Sequence, residues 1–306
     1  MKNRRVQFLA FIAALVVVGA VLSFGSRSSR GQSKNRKNES PVRRTVRITE
    51  NTAAAGTKSS FPFAAAAAQN AILRNELTWT FGGKQQRGWH LYDLLIRQTL
   101  DTPDDSSTAD FAAALAAWQK KMGLSPSGVF DEDSLMAMVS YWQSKRLKNR
   151  SYAEPDQLVM PESSEFYDPS RLAELRQVNR DTYEAYRKLV AAAIADPELK
   201  LAHIEPGQLA PTEKYFKIIS AFRSREYQDQ LRRRSPTAGS AGLAVNSPHY
   251  TGRALDIYVG GDPVDTKDSN RAIQVNSPAY RWLVRNAERF GFRPYFYEPW
   301  HWEYVK

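Results

Sequence analysis

The stretch SPHYTGRALDIYV, residues 247–259, restricts the fold of this 306-residue chain more than any other. Ser-Pro opens a turn and Gly252 closes it. From Arg253 onward the residues alternate. Period two places Ala254, Asp256 and Tyr258 on one face of a strand, and Leu255, Ile257 and Val259 on the core face. Such a strand needs a sheet to sit in, and its Asp256 points away from the core. His249, seven residues earlier, is one of only four histidines in the chain. Read alone, the pair is a turn leading into an ordinary half-exposed strand.

A second stretch changes that reading. The chain ends in YEPWHWEYVK. Pro299 holds Glu298 extended. On a strand from Trp300, His301 and Glu303 share one face and the two tryptophans share the other. A catalytic zinc takes three ligands from His, Asp or Glu and keeps a fourth position for water. His249, Asp256 and His301 supply such a set. Glu298, three residues before His301, is the candidate general base, and Glu303 a candidate partner for a ligand histidine. Each piece is weak by itself; half of the chain's histidines falling in these two stretches gives them weight. His90 and His203 lie in an apolar helix and a loop and read as structural or exposed.

The rest of residues 151–306 supplies a frame for that face. SPAYRWLVRNAERFGF is a helix capped by Ser277, with Pro278 in its first turn and Gly291 at its stop. Its apolar stripe is Tyr280, Leu283, Val284, Ala287 and Phe290. Residues 168–196 read as one long helix ended by Pro197, with Leu172, Leu175, Tyr183, Tyr186 and Val190 as buried positions. KYFKIISAF alternates as a strand, and Ser224 caps a helix in SREYQDQLRRRS.

Residues 76–150 form a smaller helical module. LTWTFGGKQQRGW reads as two short strands about a Gly-Gly turn, or as a capped loop. HLYDLLIRQTL puts Leu91, Leu94, Leu95 and Gln98 on one helical stripe, and ADFAAALAAWQKKMGL puts Phe111, Ala114, Leu115 and Trp118 on another, with Gly123 as its stop. Asp131 caps a third helix that buries Leu135, Met138 and Trp142. FAAALAAWQKKMGLSPSGVFDEDSLMAM resembles the peptidoglycan-binding repeat found beside wall hydrolases. The module has no cluster of acid, base or nucleophile, so it reads as a binding or spacing unit.

Ahead of it, residues 1–25 comprise a basic MKNRRVQ and an uncharged run from Phe8 to Phe24. The run is long for the apolar part of a signal peptide, which favours an uncleaved signal anchor over a cleaved signal. Either reading sends the remainder out of the cytoplasm. Residues 26–75 read as a polar, basic linker, within which AAAAAQNAILRNEL, from Ala64, suits a helix assigned to no domain. Of the chain's net charge of +11, +9 lies in residues 1–50. The basicity therefore belongs to the tail and suits anionic lipid or wall polymer; no basic face on a folded domain points to nucleic acid. The absence of cysteine excludes disulfides, thiolate zinc sites, a cysteine nucleophile and a lipid-modified cysteine.

The motifs carry a specific resemblance. SPHYTGRALD matches Ser-x-His-x-x-Gly-x-Ala-x-Asp, EPWH matches Glu-x-x-His, and SAFRSREYQ resembles the Gly-Tyr-Arg-Ser segment of the zinc D-alanyl-D-alanine carboxypeptidases of the VanY type, within the LAS metallopeptidases. The resemblance spans residues 210–306. It implies an α+β fold, a small antiparallel sheet with flanking helices, following the three-helix peptidoglycan-binding-like module. It implies Zn2+ on His249, Asp256 and His301, with Glu298 as base. Arg223 would polarise the scissile carbonyl, and Ser247 and Gln228 would contact the substrate backbone or terminal carboxylate. Two departures stand out. Ala221-Phe222 replaces the usual Gly-Tyr, removing a hydroxyl beside Arg223, and the loop before YEPWH is short. The implied activity is removal of terminal D-Ala from peptidoglycan stem peptides at the bacterial envelope. The alternatives are an endopeptidase of the same fold and a non-catalytic wall-binding protein.

Overall fold

A computed structural model describes residues 62–234 and 246–306. The apolar segment 1–25, the linker as far as residue 61 and residues 235–245 lie outside the described residues. Among the described residues no helix is long and apolar enough to cross a membrane.

Helix α1 (Ala64–Glu76) comes first and is followed by the hairpin β1 (Thr78–Phe81) and β2 (Lys84–Arg87), joined through Gly82 and Gly83. Helices α2 (Asp93–Leu100), α3 (Ala109–Lys121) and α4 (Glu132–Ser144) follow. Side chains cap the starts of α3 and α4: Thr108 accepts from Phe111 N, and Asp131 accepts from Ser134 N. The helix that the sequence allows from Ala64 belongs to the module as its fourth. Within α1, buried Asn70 donates to Gly128 O at 2.8 Å and accepts from Phe130 N at 2.7 Å. The linker expected through residue 75 therefore stops before α1. The stripe in α2 also differs. A short 3-10 turn over His90–Tyr92 shifts the phase, so Leu91, Leu95, Ile96 and Leu100 are buried and Gln98 is exposed.

Between the two folded parts, β3 (Leu158–Val159) pairs with β4 (Val178–Asn179). Helix α5 starts only at Arg180 and runs to Ile194, because the Asn179 side chain accepts from Thr182 N and caps it there. The helix expected from residue 168 is thus half its predicted length, and Leu172 is 62% exposed. Hairpin strands β5 (His203–Glu205) and β6 (Gln208–Leu209) follow.

The remaining strands build one antiparallel sheet in the order β7-β8-β10-β9: β7 (Ile218–Ser220), β8 (Ala254–Ile257), β9 (Phe292–Tyr295) and β10 (Glu298–Tyr304). Helix α6 (Arg225–Arg234) leaves β7, and α7 (Asp268–Val275) and α8 (Pro278–Asn286) connect β8 to β9. Leu255, Ile257, Trp300 and Trp302 cover one face with Leu283 and Tyr280 of α8, all fully or almost fully buried. Burial of such side chains contributes roughly 1.5–3 kcal/mol each. The opposite face carries Asp256 and His301.

The described residues belong to one compact unit, Thr57–Lys306. Phe296 meets Phe81, Tyr92 and Trp142 with ring centroids at 4.8, 5.3 and 5.7 Å, so an aromatic cluster crosses the boundary expected near residue 150. Arg271 is 1% exposed and donates to Tyr92 Oη at 2.9 Å and Asp268 Oδ1 at 2.7 Å.

Candidate metal centre

Strand register creates the centre. Across the β8–β10 pair, His301 lies directly opposite Asp256 and Glu303 opposite Ala254. Opposed side chains on one face of an antiparallel pair have Cβ atoms about 4.5–5.5 Å apart, within reach of a shared ion. On the far side of β8, Ser220 of β7 lies opposite Asp256. His249 arrives from the 3-10 turn Pro248–Thr251 that feeds β8. The Ser247 hydroxyl oxygen accepts from His249 N at 3.3 Å and so caps that turn. Gly252 ends it at φ +65, where a Cβ would stand 2.8 Å from Asn179 N and 2.9 Å from Leu158 Cδ2. The β3–β4 ribbon leaves no room there for a side chain.

The pairing of β10 with β9 shifts register between Glu298 and Trp302. Irregular pairing of this kind re-aims side chains. Here it falls on the span that carries Glu298 and His301.

One donor atom each from His249, Asp256 and His301 falls within 4.8 Å of the other two, and all three residues are buried. His249 Nε2 is 3.4 Å and His301 Nδ1 is 3.0 Å from the same oxygen, Asp256 Oδ1. The imidazole rings meet edge to face at 5.0 Å. Two imidazole nitrogens and a carboxylate oxygen are the donor chemistry that a catalytic zinc takes, and three protein donors leave a position open. The orientation of each ring fits the same use. His249 Nδ1–H donates to Ala221 O at 2.6 Å, which fixes the tautomer with a lone pair on Nε2. His301 Nε2–H donates to Glu303 Oε1 at 3.2 Å, which turns Nδ1 toward Asp256. These three residues would hold the zinc that the motif resemblance implies.

Electrostatics separate the two histidines. Burial, reinforced by the nearby Arg223 cation, pushes His249 down to about 4, so it is a neutral donor. Burial works against the charged form of His301 as well, but hydrogen bonds to Asp256 and Glu303 overcome it and raise His301 to about 9. Burial alone would raise Asp256; His249, His301 and Arg223 outweigh it and hold the carboxyl well below its ordinary range. Arg223 Nη2 donates to Asp256 Oδ2 at 2.7 Å, and its Nε donates to Ser220 Oγ at 3.1 Å.

Glu298 is half-buried at the start of β10. Among the described residues none donates a hydrogen bond to its carboxylate. Burial pushes it up to about 7; His301 opposes the rise and Asp256 adds to it. A carboxyl that titrates near neutrality suits proton transfer in either direction. Gln228, on α6, is fully buried.

Two contributors, Arg146 and Ser220, had no sequence signal; the first acts through Glu303, which the sequence did single out. Glu303 is 0% exposed, and besides His301 it accepts from Arg146 Nε at 3.0 Å, from Arg146 Nη2 and from Leu147 N at 2.9 Å. Arg146 also lies over the Tyr295 ring, 4.0 Å from its centroid. The chain just after α4 thus holds the carboxylate that orients a candidate ligand histidine. The second is Ser220, whose hydroxyl serves Arg223; neither a lone Ser in a strand nor an Arg after a helix announces such a role.

No curated protein matches the chain. Among solved structures, that of the LdcB LD-carboxypeptidase is 24% identical; the match covers 52% of this chain and 75% of that one, at a TM-score of 0.35. Residues 208–306 match the family model VanY, described as D-alanyl-D-alanine carboxypeptidase.

Proposed function

We propose that the chain is a zinc-dependent peptidase of the bacterial envelope that removes the terminal D-Ala from peptidoglycan stem peptides. The observation that carries this reading is the convergence of three buried donor atoms within 4.8 Å, on a face that also presents a carboxyl held near neutrality. The match of residues 208–306 to the carboxypeptidase family supports the substrate class.

Zinc, when bound, supplies a Lewis acid and a water acidic enough to lose a proton near neutral pH. The side chains do the rest. Glu298 takes the proton of the attacking water and delivers it to the leaving amine. The Arg223 guanidinium, fixed by Ser220 and Asp256, has its Nη1 edge left to donate to the scissile carbonyl as charge develops there. Ala221 O and Glu303 keep the two imidazoles from turning.

The test is incubation of the full-length protein with purified muropeptides, with metal content measured on the same sample. Free D-Ala from pentapeptide stems, lost in Glu298→Gln and on chelation, supports the reading. Release of D-Ala from tetrapeptides alone would move the specificity to the L,D bond. A dipeptide or an uncrosslinked stem as product would make it an endopeptidase, and no product with any stem would retire it in favour of a wall-binding role.

A further inference from the structure

The turn between β9 and β10 is seated in the helical module. Phe296 is 3% exposed, and its ring sits among three rings of that module: Phe81 edge-on at 4.8 Å, Tyr92 at 5.3 Å and Trp142 at 5.7 Å. Tyr297 packs on Phe81 at 5.2 Å, and its carbonyl accepts from buried Arg271 Nη1, which also donates to Tyr92 Oη. Tyr295 lies under the Arg146 guanidinium and meets the His301 ring edge to face at 5.9 Å. Each of residues 295–297 is therefore gripped by a side chain from the part of the chain before residue 147.

Glu298 is the next residue. Its strand pairs irregularly with β9 between Glu298 and Trp302, so the ladder on that side does not fix this span. What fixes it is held at both ends by the module. At the turn, Phe296 fills the hollow between Phe81, Tyr92 and Trp142; tilted and edge-to-face rings at these spacings attract one another beyond the area they bury. Further along β10, Glu303 accepts from Arg146 and Leu147 N and itself holds His301 Nε2. The hollow that a wall-binding unit would present to a ligand is taken by the chain's own Phe296.

We infer that the helical module is a clamp on the catalytic hairpin: by seating Phe296 it positions Glu298, and through Arg146 and Glu303 it positions His301. The inference rests on the peptidase reading above for the role of Glu298. Phe296 and Arg146 are positioning residues; the chemistry stays with the groups they hold. Phe81, Tyr92, Trp142 and Arg146 all lie outside residues 208–306, so the part of the chain that matches the carboxypeptidase family depends on a segment ahead of it for the placing of its base.

The experiment uses the full-length protein at saturating zinc and the variants Phe81→Ala, Phe296→Ala, Phe296→Leu and Arg146→Gln, with the folded fraction of each measured by circular dichroism. The substrates are a soluble stem pentapeptide without sugar, too short to engage a separate wall-binding face, and intact peptidoglycan. A misplacement of about 1 Å at a reacting group costs up to about a hundredfold, so kcat on the pentapeptide should fall about tenfold or more in Phe81→Ala and Phe296→Ala with KM unchanged. Phe296→Leu should recover most of the loss. Should Phe296→Ala fail to fold, Phe81→Ala carries the test, because its ring is only half-buried at the module's edge. Pentapeptide kcat at the wild-type value, with only turnover of intact wall reduced, overturns the clamp in favour of a wall-binding unit. A loss equal to the unfolded fraction, or Leu no better than Ala, overturns it in favour of mere cohesion. Zinc affinity, read by chelator competition, should weaken about tenfold in folded Arg146→Gln, the usual weight of a partner behind a ligand histidine; an unchanged affinity overturns the Arg146 half of the clamp. If wild type hydrolyses nothing yet Arg146→Gln loses zinc affinity in this way, the clamp stands and the peptidase reading falls.

Discussion

Glu303→Gln tests whether one buried carboxylate holds both the start of the sheet's metal face and the end of α4. Oε1 accepts from Arg146 and from His301, while Oε2 accepts from Leu147 N. A glutamine keeps one acceptor and presents an NH2 in place of the other, so either Leu147 N–H or Arg146 must face a donor. The Arg146 side chain, 12% exposed, also loses its counter-charge. Breaking a buried pair by removing one partner costs about 3–5 kcal/mol. An independent route gives the same size. His301 and Arg146 hold Glu303 down at about 2 against an ordinary 4.5, despite the burial that opposes them. A folded-state value below the unfolded one contributes stability that is fully present above pH 4.5 and is lost as pH falls toward 2. At 1.36 kcal/mol per unit that amounts to about 3 kcal/mol. Urea denaturation of the metal-free protein at pH 7 should therefore show a loss of about 3 kcal/mol or more in Glu303→Gln. The fall in stability between pH 4.5 and 2 should flatten in the variant. A loss under about 1 kcal/mol with the acid limb intact would refute the reasoning, because Arg146 and Leu147 would then be satisfied without the carboxylate.

Three further expectations follow from the same geometry. His301, raised to about 9 from 6.5, stabilises the metal-free fold below pH 6.5 and loses that contribution as pH rises through 9; zinc binding at pH 7 should release a proton, and calorimetry in buffers of different ionisation enthalpy should detect it. Gly252→Ala must hold a Cβ 2.8 Å from Asn179 N at φ +65, so thermal unfolding should report a destabilisation of about 2 kcal/mol or more, and zinc affinity should fall because the turn carrying His249 moves. Glu298→Gln should keep its zinc, by metal analysis, and lose roughly a hundredfold or more in kcat on muropeptides, the usual weight of general acid–base transfer.

Much of the centre was legible because it is local. Alternation in RALDIYV put Asp256 opposite the core side, and WHWEY did the same for His301 and Glu303; the structure shows Trp300 and Trp302 buried on the other face. Caps at Asp131, Ser224 and Ser277 were legible for the same reason, since a side chain reaching three residues ahead needs no distant partner. The misreadings share a cause as well. Residues 168–179 have helical periodicity, but Asn179 caps the chain there and Val178 is taken by β4, so tertiary pairing overrode propensity. Helix α1 was legible as a helix but not as part of the module, because alanines carry little apolar signal; its place is set by Asn70 bonding to Gly128 and Phe130, about sixty residues away.

The sequence by itself determined the kinds of atom available for the chemistry: two imidazoles, their carboxylates and the strand faces that present them. Only the tertiary structure decided which residues meet. Register placed His301 opposite Asp256, and the fold brought Arg146 to Glu303 and Arg223 to Ser220. The physical reason is range. Side-chain alternation and capping act over a few residues, whereas the charge balance of a buried face is set by every segment that covers it.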